Sequence, residues 1–147
     1  NGMGGDSIYK FDKTSEDHLK IFKELTNNYK TMVMVQNFLP EIYDGDYRIL
    51  IINGEPFPIG LARIPQKGSF KGNLAAGGRG EARELSSEQV QASKEIGKIL
   101  IQEGILFAGI DMIGSSLTEI NITSPTGARE ILTQTGQNPI KALLQSI

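Results

Sequence analysis

Residues 109–126 read GIDMIGSSLTEINITSPT, with two apolar, β-branched runs on either side of a Gly-Ser-Ser break. This pattern predicts a β-hairpin with a three-residue loop. If Ile113 and Leu117 form the last pair before the loop, Asp111 lies directly opposite Glu119. Because side chains alternate between the faces of a strand, the polar ones then share one face of the hairpin. They are Asp111, Glu119, Asn121 and Thr123, whereas Met112, Ile120 and Ile122 point the other way.

The two carboxylates of this hairpin need a compensating charge. At cross-strand contact, roughly 5 Å apart, they repel each other by about 3 kcal/mol at an effective dielectric near 20. A hard divalent cation, Mg²⁺ or Mn²⁺, prefers such oxygen ligands and keeps positions for water and substrate phosphates. The hairpin therefore predicts a metal site at Asp111, Glu119 and Asn121. The alternative, equally consistent with the pattern, is a pair of solvated carboxylates on the open face of an antiparallel sheet.

Composition excludes several classes of function. The 147 residues suffice for one domain, and a net charge of −2 gives no electrostatic reason to expect a nucleic acid partner. We find neither a signal peptide nor an apolar run long enough to cross a membrane, so we expect a cytoplasmic protein. The absence of cysteine and the single histidine, His18, exclude thiolate nucleophiles, histidine-based triads and zinc sites.

The chain opens on a glycine loop, NGMGGD at residues 1–6, with no strand before it. We therefore expect a fragment of a longer protein. Because glycine has no Cβ, such a loop can lay its backbone N–H groups against phosphate oxygens. An ordinary glycine-rich turn is the alternative interpretation.

Residues 7–39 are predicted to form a strand, a helix and a second strand. The first strand covers 7–11, and a capping box at 14–17 starts a helix that reaches Tyr29. The apolar run at 31–35 predicts a strand buried on both faces. The linker that follows could border an adenine ring or be a plain connection. It consists of Gln36, Asn37, Phe38 and Leu39, followed by a proline. The inward side of the helix is predicted to carry Leu19, Phe22, Leu25 and Tyr29.

A second hairpin is predicted over residues 46–64, because Asn53-Gly54 separates two apolar runs and pairs Ile52 with Glu55. In that register Asp46, Arg48 and Arg63 share one face. The two guanidinium forks suit a carboxylate or phosphate, so this face could be an anion clamp. A rim salt bridge to Asp46 is the alternative. Pro56 and Pro58 predict that the second strand lies at a sheet edge.

The longest stretch without periodicity lies at residues 65–84 and predicts a mobile glycine-rich lid loop, with plain disorder as the alternative. Lys71, Asn73 and Arg79 give this loop polar groups with which to close over an anion. A helix follows from a cap at Ser86 to about Gly104, and its predicted sheet-facing residues are Val90, Ile96, Gly97, Ile99 and Leu100. Two further helices are predicted at 127–134 and 139–147. The segment Ser124-Pro125-Thr126 precedes the first of them and could receive a carboxylate.

Taken together, these segments resemble the C-terminal ATP-grasp portion of prokaryotic glutathione synthetases. They occur in the family's order over nearly the whole chain, at 2–5, 36–40, 44–48, 62–65, 72–80 and 109–126. The resemblance implies an α+β ATP-grasp fold, with a mostly antiparallel sheet, packed helices and a mobile glycine-rich lid. It also implies a single ATP-grasp domain over residues 1–147.

The resemblance further implies an ATP-dependent ligase that joins glycine to γ-glutamylcysteine through an acyl phosphate and releases ADP and phosphate. ATP, γ-glutamylcysteine and glycine would be the substrates, and a homotetramer is expected by analogy. Arg48, Arg63 and Arg79 would hold substrate carboxylates or the acyl phosphate. Asp111, Glu119 and Asn121 would bind Mg²⁺. The other implied contacts are Gly2, Met3, Gly4 and Gly5 over the phosphates, Gln36, Asn37, Phe38 and Leu39 at the adenine, Asp46 near the ribose, Asn73 in the lid, and Ser124, Pro125 and Thr126 in a substrate-carboxylate pocket.

Two departures from the family pattern limit what the chain does alone. Lys71 stands where the family often has arginine, which replaces a fork by a point charge. The lysines that the family carries before the glycine loop, and the N-terminal half, are not in this sequence, so we expect the chain alone to be inactive. A different ATP-grasp amino-acid ligase and a non-catalytic nucleotide-binding module are the competing hypotheses.

Overall fold

The computed structural model describes residues 8–10, 17–72 and 77–147, which belong to two compact units, residues 1–39 and 40–147. The glycine loop with Gly2, Met3, Gly4 and Gly5 lies outside the described residues, and so does Asn73. The single domain expected over residues 1–147 stays a prediction. None of the helices in the described ranges has the length and apolar character needed to cross a membrane.

The first unit contains helix α1, His18–Leu25. It ends before the predicted Tyr29 because the Thr26 hydroxyl donates to the Phe22 carbonyl at 2.7 Å and the next three residues have positive φ. Leu19 and Tyr29 are exposed, so the predicted inward face is wrong at both of these positions. The predicted apolar face runs from Leu19 to Tyr29, which is longer than the helix of eight residues. Its two end residues are therefore not covered by a packing layer.

The predicted strand at 31–35 is wrong. These residues have no regular structure, and Met32 and Met34 are 98% and 82% exposed. A strand buried on both faces needs paired strands beside it and layers above and below. Among the described residues of the first unit, only α1 is available for that purpose. Residues 8–10, from the other strand predicted in this unit, are also irregular.

The second unit is built on an antiparallel sheet with the strand order β4-β3-β1-β5-β6, and β2 pairs with β1. A short 3-10 helix, Pro40–Tyr43, precedes it. The strands are β1 Asp46–Ile52, β2 Glu55–Pro56, β3 Ile59–Ile64, β4 Arg79–Glu84, β5 Phe107–Ile113 and β6 Ser116–Asn121. The helices are α2 Ser87–Gln102, α3 Ala128–Thr135 and α4 Pro139–Ser146, close to the predicted bounds.

Each face of the sheet carries its own hydrophobic core. One face, here called the α2 face, buries Ile49, Ile51, Ala108, Ile110 and Met112 together with Leu100 of α2. The opposite face, here called the site face, buries Leu50, Ile59 and Leu61 with Ile131 of α3. The second unit is therefore a three-layer α/β/α arrangement, in which helices cover both faces of the β1–β3 region.

Helix α2 confirms the predicted cap at Ser86, which is one half of a capping box with Gln89. The Ser86 hydroxyl accepts from the Gln89 backbone N–H, and the Gln89 side chain accepts from the Ser86 N–H. Gly97 faces the sheet as predicted, since a Cβ there would lie 1.9 Å from the Gly54 carbonyl oxygen. Ile99 was also predicted to face the sheet, but it is 60% exposed.

Strand β3 lies inside the sheet, between β1 and β4, so its predicted edge position is wrong. Pro56 and Pro58 both precede Ile59, where β3 begins, and therefore remove no N–H group from its ladders.

The neighbour of β3 is β4, six residues that the sequence assigns to the lid loop. Its sequence RGEARE shows no apolar alternation because it is a charged edge strand. The Gln134 side chain of α3 further holds this edge, since it accepts from the Ala82 N–H at 2.8 Å and donates to the Gly80 carbonyl at 3.0 Å.

Candidate functional site

The β5–β6 hairpin brings Asp111 opposite Glu119, as predicted, although by a different route. The turn contains two residues rather than three, because Ile113 pairs with Ser116. A bulge between Asp111 and Met112 then shifts the ladder by one residue and restores the predicted pair. Asn121 pairs with Gly109 and so lies on the same face as Asp111 and Glu119.

The β1 hairpin also has the predicted pairing of Ile52 with Glu55. Further along, Asp46 pairs with Arg63 and Arg48 pairs with Leu61. This register is shifted by two residues from the one that the turn predicts, and an even shift leaves every side chain on its predicted face. Asp46, Arg48 and Arg63 consequently share the site face, as predicted. The pairing of β1 with β5 was not predicted, and it places Arg48 opposite Asp111.

The four charged side chains form a buried network. Arg48 grips Asp111 with two parallel hydrogen bonds, Nε to Oδ1 and Nη2 to Oδ2, the latter at 2.9 Å. Arg63 Nη2 lies 2.7 Å from Asp111 Oδ2 and 2.5 Å from Asp46 Oδ2. Arg48, Arg63 and Asp111 are only 6%, 9% and 3% exposed. The ion pair between Arg63 and Asp46 is therefore not an exposed surface salt bridge. The guanidinium group of Arg48 is already occupied by the Asp111 carboxylate.

Burial controls the electrostatics of this network. It raises the pKa of Asp46 from 3.8 to about 6, against the opposing charge of Arg63. The Oδ1 atom of Asp46 is buried and has no hydrogen-bond partner within the described part of the chain. Burial lowers the pKa of Arg48, but the hydrogen bond and charge of Asp111 outweigh it, so the pKa is raised overall. The charge of Glu119 acts in the same direction on Arg48, which places that carboxylate within electrostatic reach of the network.

The segment Ser124-Pro125-Thr126 lies against Arg48. A Cβ at Gly109 would be 2.8 Å from the Pro125 Cβ and 3.0 Å from the Arg48 Cδ. Only glycine therefore leaves room for both side chains to pack over this position. Arg48 Nη1 donates to the Thr126 hydroxyl at 3.4 Å. The predicted carboxylate pocket is thus adjacent to one of the predicted anion-binding arginines.

The predicted metal ligands suit a hard cation in type, and they lie on one face of the hairpin. Asp111 and Glu119 are cross-strand partners, and Asn121 shares their face. Glu119 is exposed, whereas both oxygens of Asp111 are bonded to guanidinium groups. A carboxylate has about four acceptor sites, so Asp111 can still bind a cation. The amide oxygen of Asn121 accepts from the Thr123 and Ser124 N–H groups at 3.3 and 3.2 Å. No group of three His, Cys, Asp or Glu side chains suited to a metal occurs among the described residues, so the site depends on the amide of Asn121.

Within the second unit, one predicted site residue, Arg79, is not brought to this network. Arg79 pairs with Ile64, which places it on the α2 face, and its side chain is 74% exposed and bound to Glu81. Gln36, Asn37, Phe38 and Leu39 belong to the first unit, where Lys10 Nζ lies 3.5 Å from the centre of the Phe38 ring. Their roles, like those of all the predicted site residues, stay predictions.

Two structural contributors to the site were missed from the sequence. Gly109 was not singled out, although a glycine inside an apolar strand is a known sign of close approach by another chain segment. The Arg48–Asp111 pair joins residues 63 positions apart, and no local pattern reports such a contact.

The antiparallel sheet with helices on both faces agrees with the predicted α+β ATP-grasp fold class, which is confirmed by a family model that matches residues 1–136. The chain belongs to the family that this model describes as prokaryotic glutathione synthetase, ATP-grasp domain.

Curated relatives agree with this assignment. The glutathione synthetase of Nitrosomonas europaea is 46% identical over 147 residues, which cover 100% of this chain and 46% of the relative. That of Escherichia coli strain K12 is 50% identical over 132 residues, covering 89% of this chain and 42% of the relative. The glutathione synthetase of Pseudomonas syringae pv. tomato is 48% identical over 147 residues, covering 100% of the chain and 46% of the relative. The chain thus spans less than half the length of the curated relatives it matches.

Proposed function

We propose that this chain supplies the ATP-grasp part of a glutathione synthase, which ligates glycine to γ-glutamylcysteine at the expense of ATP. The observation that carries the proposal is the row formed by Arg48, Asp111 and Glu119 across three neighbouring strands. It lies beside the Thr126 segment, in a chain of the matching family.

The chemistry requires neutralisation of charge more than a nucleophilic side chain. The γ-phosphate of ATP is transferred to the dipeptide carboxylate, so two anions must meet. The glycine amine then attacks the acyl carbon, and phosphate leaves. When bound, Mg²⁺ or Mn²⁺ would neutralise the ATP phosphates, held by Asp111, Glu119 and Asn121.

The arginines have two functions in this proposal. Through their bonds to Asp111, Arg48 and Arg63 fix the orientation of that carboxylate, which an unsupported aspartate would lose to rotamer freedom. Arg48 Nη1 also faces Thr126, where the substrate carboxylate would bind beside Ser124 and Pro125. Arg79 has no part in this proposal, because it lies on the α2 face and binds Glu81.

The loop after β3 is proposed to cover the site, because an acyl phosphate hydrolyses readily in water. Its start already lies on the network, since a Cβ at Gly72 would be 2.6 Å from the Arg63 carbonyl oxygen and 3.3 Å from the Asp46 Cβ. Asn73 would belong to this cover. From the first unit, Gly2, Met3, Gly4 and Gly5 would cover the phosphates. Gln36, Asn37, Phe38 and Leu39 would border the adenine, and Asp46 would lie near the ribose.

The test is a chimera in which the matching 89% of this chain replaces the 132-residue region of the Escherichia coli K12 relative to which it aligns. We expect phosphate release that depends on ATP, γ-glutamylcysteine and glycine together, and no release from the chain alone. Glu119→Gln in the chimera should lower the rate by about 100-fold, since it removes a charged ligand. Glu103→Gln, an exposed position at the end of α2, is the matched control and should leave the rate unchanged.

Each contrary outcome would indicate a different function for the chain. Release that accepts another amine in place of glycine would show a different ATP-grasp ligase. Binding of ATP without release, in a folded chimera, would show a nucleotide-binding module. The homotetramer expected by analogy is tested by sedimentation of the active protein.

A further inference from the structure

The β5–β6 ladder contains one residue more on β6 than on β5. Met112 pairs with Leu117 and Asp111 pairs with Glu119, so Thr118 has no partner of its own. The extra residue is the β-bulge already noted between Asp111 and Met112. Bulges of this kind re-aim the side chains that follow them.

The bulge decides which face Glu119 occupies. In a regular ladder that continues from the Met112–Leu117 pair, Asp111 would face Thr118 and Ile110 would face Glu119. Ile110 is fully buried in the core of the α2 face, so the carboxylate would move to the wrong side of the sheet. With the bulge, Ile110 pairs with Ile120 and Glu119 joins Asp111 on the site face.

The same change of parity governs Asn121. It pairs with Gly109 in the bulged ladder, on the face where Pro125 and Arg48 cross. In the regular ladder, Ile120 would take that place. Because Thr118 is left unpaired, two of the three predicted metal ligands lie on the site face.

The Thr118 side chain holds this irregularity in place. Its hydroxyl donates to the backbone carbonyl of Asp111 at 3.0 Å, across the ladder at the point of the bulge. A carbonyl inside an irregular ladder needs such a partner, because an unpaired one costs free energy. The bond also ties the backbone of one predicted ligand to the residue that directly precedes another.

We propose that Thr118 is a positioning residue of the cation and phosphate site: its hydroxyl stabilises the bulge that directs Glu119 and Asn121 to the Asp111 face. The inference deepens the proposed function and rests on it. Thr118 touches neither substrate nor metal in this role. It acts through the register of β6.

The test compares Thr118→Val, which removes the hydroxyl but keeps the β-branched shape, with Thr118→Ser, which keeps the hydroxyl. Binding of Mn²⁺ to the 147-residue chain is followed by the electron paramagnetic resonance signal of the free ion. We expect about tenfold weaker binding for Thr118→Val, within the range seen when groups that orient metal ligands are removed. Thr118→Ser should bind within about twofold of the wild type.

A second readout follows the register directly. Cross-strand NMR contacts should join Asp111 to Glu119 in the wild type and in Thr118→Ser. In Thr118→Val, part of the population should instead join Ile110 to Glu119, which is the regular ladder that takes this carboxylate off the site face. A chain lacking Thr118 has no extra residue on β6, so it should pair Asp111 with Glu119 without a bulge and bind Mn²⁺ within about twofold of the wild type. Thr133→Val, an exposed hydroxyl-to-methyl change on α3, is the matched control and should alter neither readout.

The outcomes separate this inference from the function on which it rests. If Thr118→Val binds Mn²⁺ as tightly as the wild type, the role of the hydroxyl is overturned. The same follows if Thr118→Ser weakens binding as much as Thr118→Val does. Neither result overturns the metal site itself. A wild type that binds no Mn²⁺ overturns the metal site and, with it, this role. A chain lacking Thr118 that joins Ile110 to Glu119 overturns the role of the bulge, because removal of the extra residue should leave Asp111 opposite Glu119.

Discussion

At the scale of single residues, the central feature is the sharing of Asp111 between two arginines. Arg48 bonds it from the opposite strand, and Arg63 bridges it to Asp46. The two positive and two negative charges cancel, which is what permits burial of Arg48, Arg63 and Asp111 and partial burial of Asp46. Removal of one member therefore leaves an uncompensated charge in the protein interior.

We expect Arg63→Gln to lower the free energy of unfolding by about 3–5 kcal/mol, the usual cost of breaking a buried ion pair from one side. Urea denaturation measures it. Arg129→Gln, at an exposed position on α3, is the control and should have little effect. Equal effects of the two substitutions would show that the network is not buried in solution.

Asp46 makes stability depend on pH. Because its pKa is raised from 3.8 to about 6, the native state keeps a proton over this range that the unfolded chain has lost. The contribution of Asp46 to stability is therefore fully present below the unfolded pKa and is lost as pH rises through the folded one. Two pKa units correspond to about 3 kcal/mol.

The expected result is a pH-dependent effect of Asp46→Asn. The side chain introduced does not titrate, so the variant should gain stability relative to the wild type as pH rises from 4 to 7. Unfolding free energies measured at several pH values give the difference. A difference that moves the opposite way would mean that the charge of Arg63 outweighs burial and lowers the pKa of Asp46.

At the scale of elements, α2 packs closely against the β1–β2 turn. A Cβ at Gly97 would lie 1.9 Å from the carbonyl oxygen of Gly54 and 2.7 Å from its carbonyl carbon. Both neighbours are backbone atoms, which cannot rotate away as a side chain can. The helix would have to move off the sheet to accept any larger residue.

Gly97→Ala should therefore destabilise the protein, although alanine is the better helix former by about 1 kcal/mol. We expect a loss of about 2 kcal/mol or more, because overpacking forces the backbone to shift. Thermal unfolding followed by circular dichroism measures it. Lys98→Ala, the exposed neighbour on the same helix, should be nearly neutral. A gain in stability for Gly97→Ala would show that α2 does not approach the turn so closely.

At the scale of the whole molecule, the sheet and both hydrophobic cores lie in residues 40–147. Unit 1–39 contributes one short helix and several exposed apolar side chains among its described residues. The second unit thus has the features of an independently folding domain.

We expect residues 40–147 alone to unfold cooperatively, with the circular dichroism of an α+β protein. Residues 40–121, which lack α3 and α4, are the control and should not unfold cooperatively, because Ile131 would no longer cover Leu50 and Leu61. A non-cooperative melt of residues 40–147 would show that the first unit is needed to complete the core.

Local patterns in the sequence were sufficient for several features of this protein. The Asn-Gly turn, the helix cap at Ser86 and the alternation of polar and apolar residues around Asp111 and Glu119 each follow from neighbours in the chain. The fold class and the family followed from the order of such segments. These features could be predicted because backbone geometry fixes a period of two for strands and 3.6 for helices.

The tertiary structure alone decided the rest. Whether the apolar run at 31–35 pairs with other strands, and whether the charged residues 79–84 form a strand, depends on partners distant in the chain. The same holds for Arg48, whose guanidinium fork is filled by Asp111. Such contacts come from the order in which strands assemble into a sheet, and this order leaves no periodic trace in the sequence of any one strand.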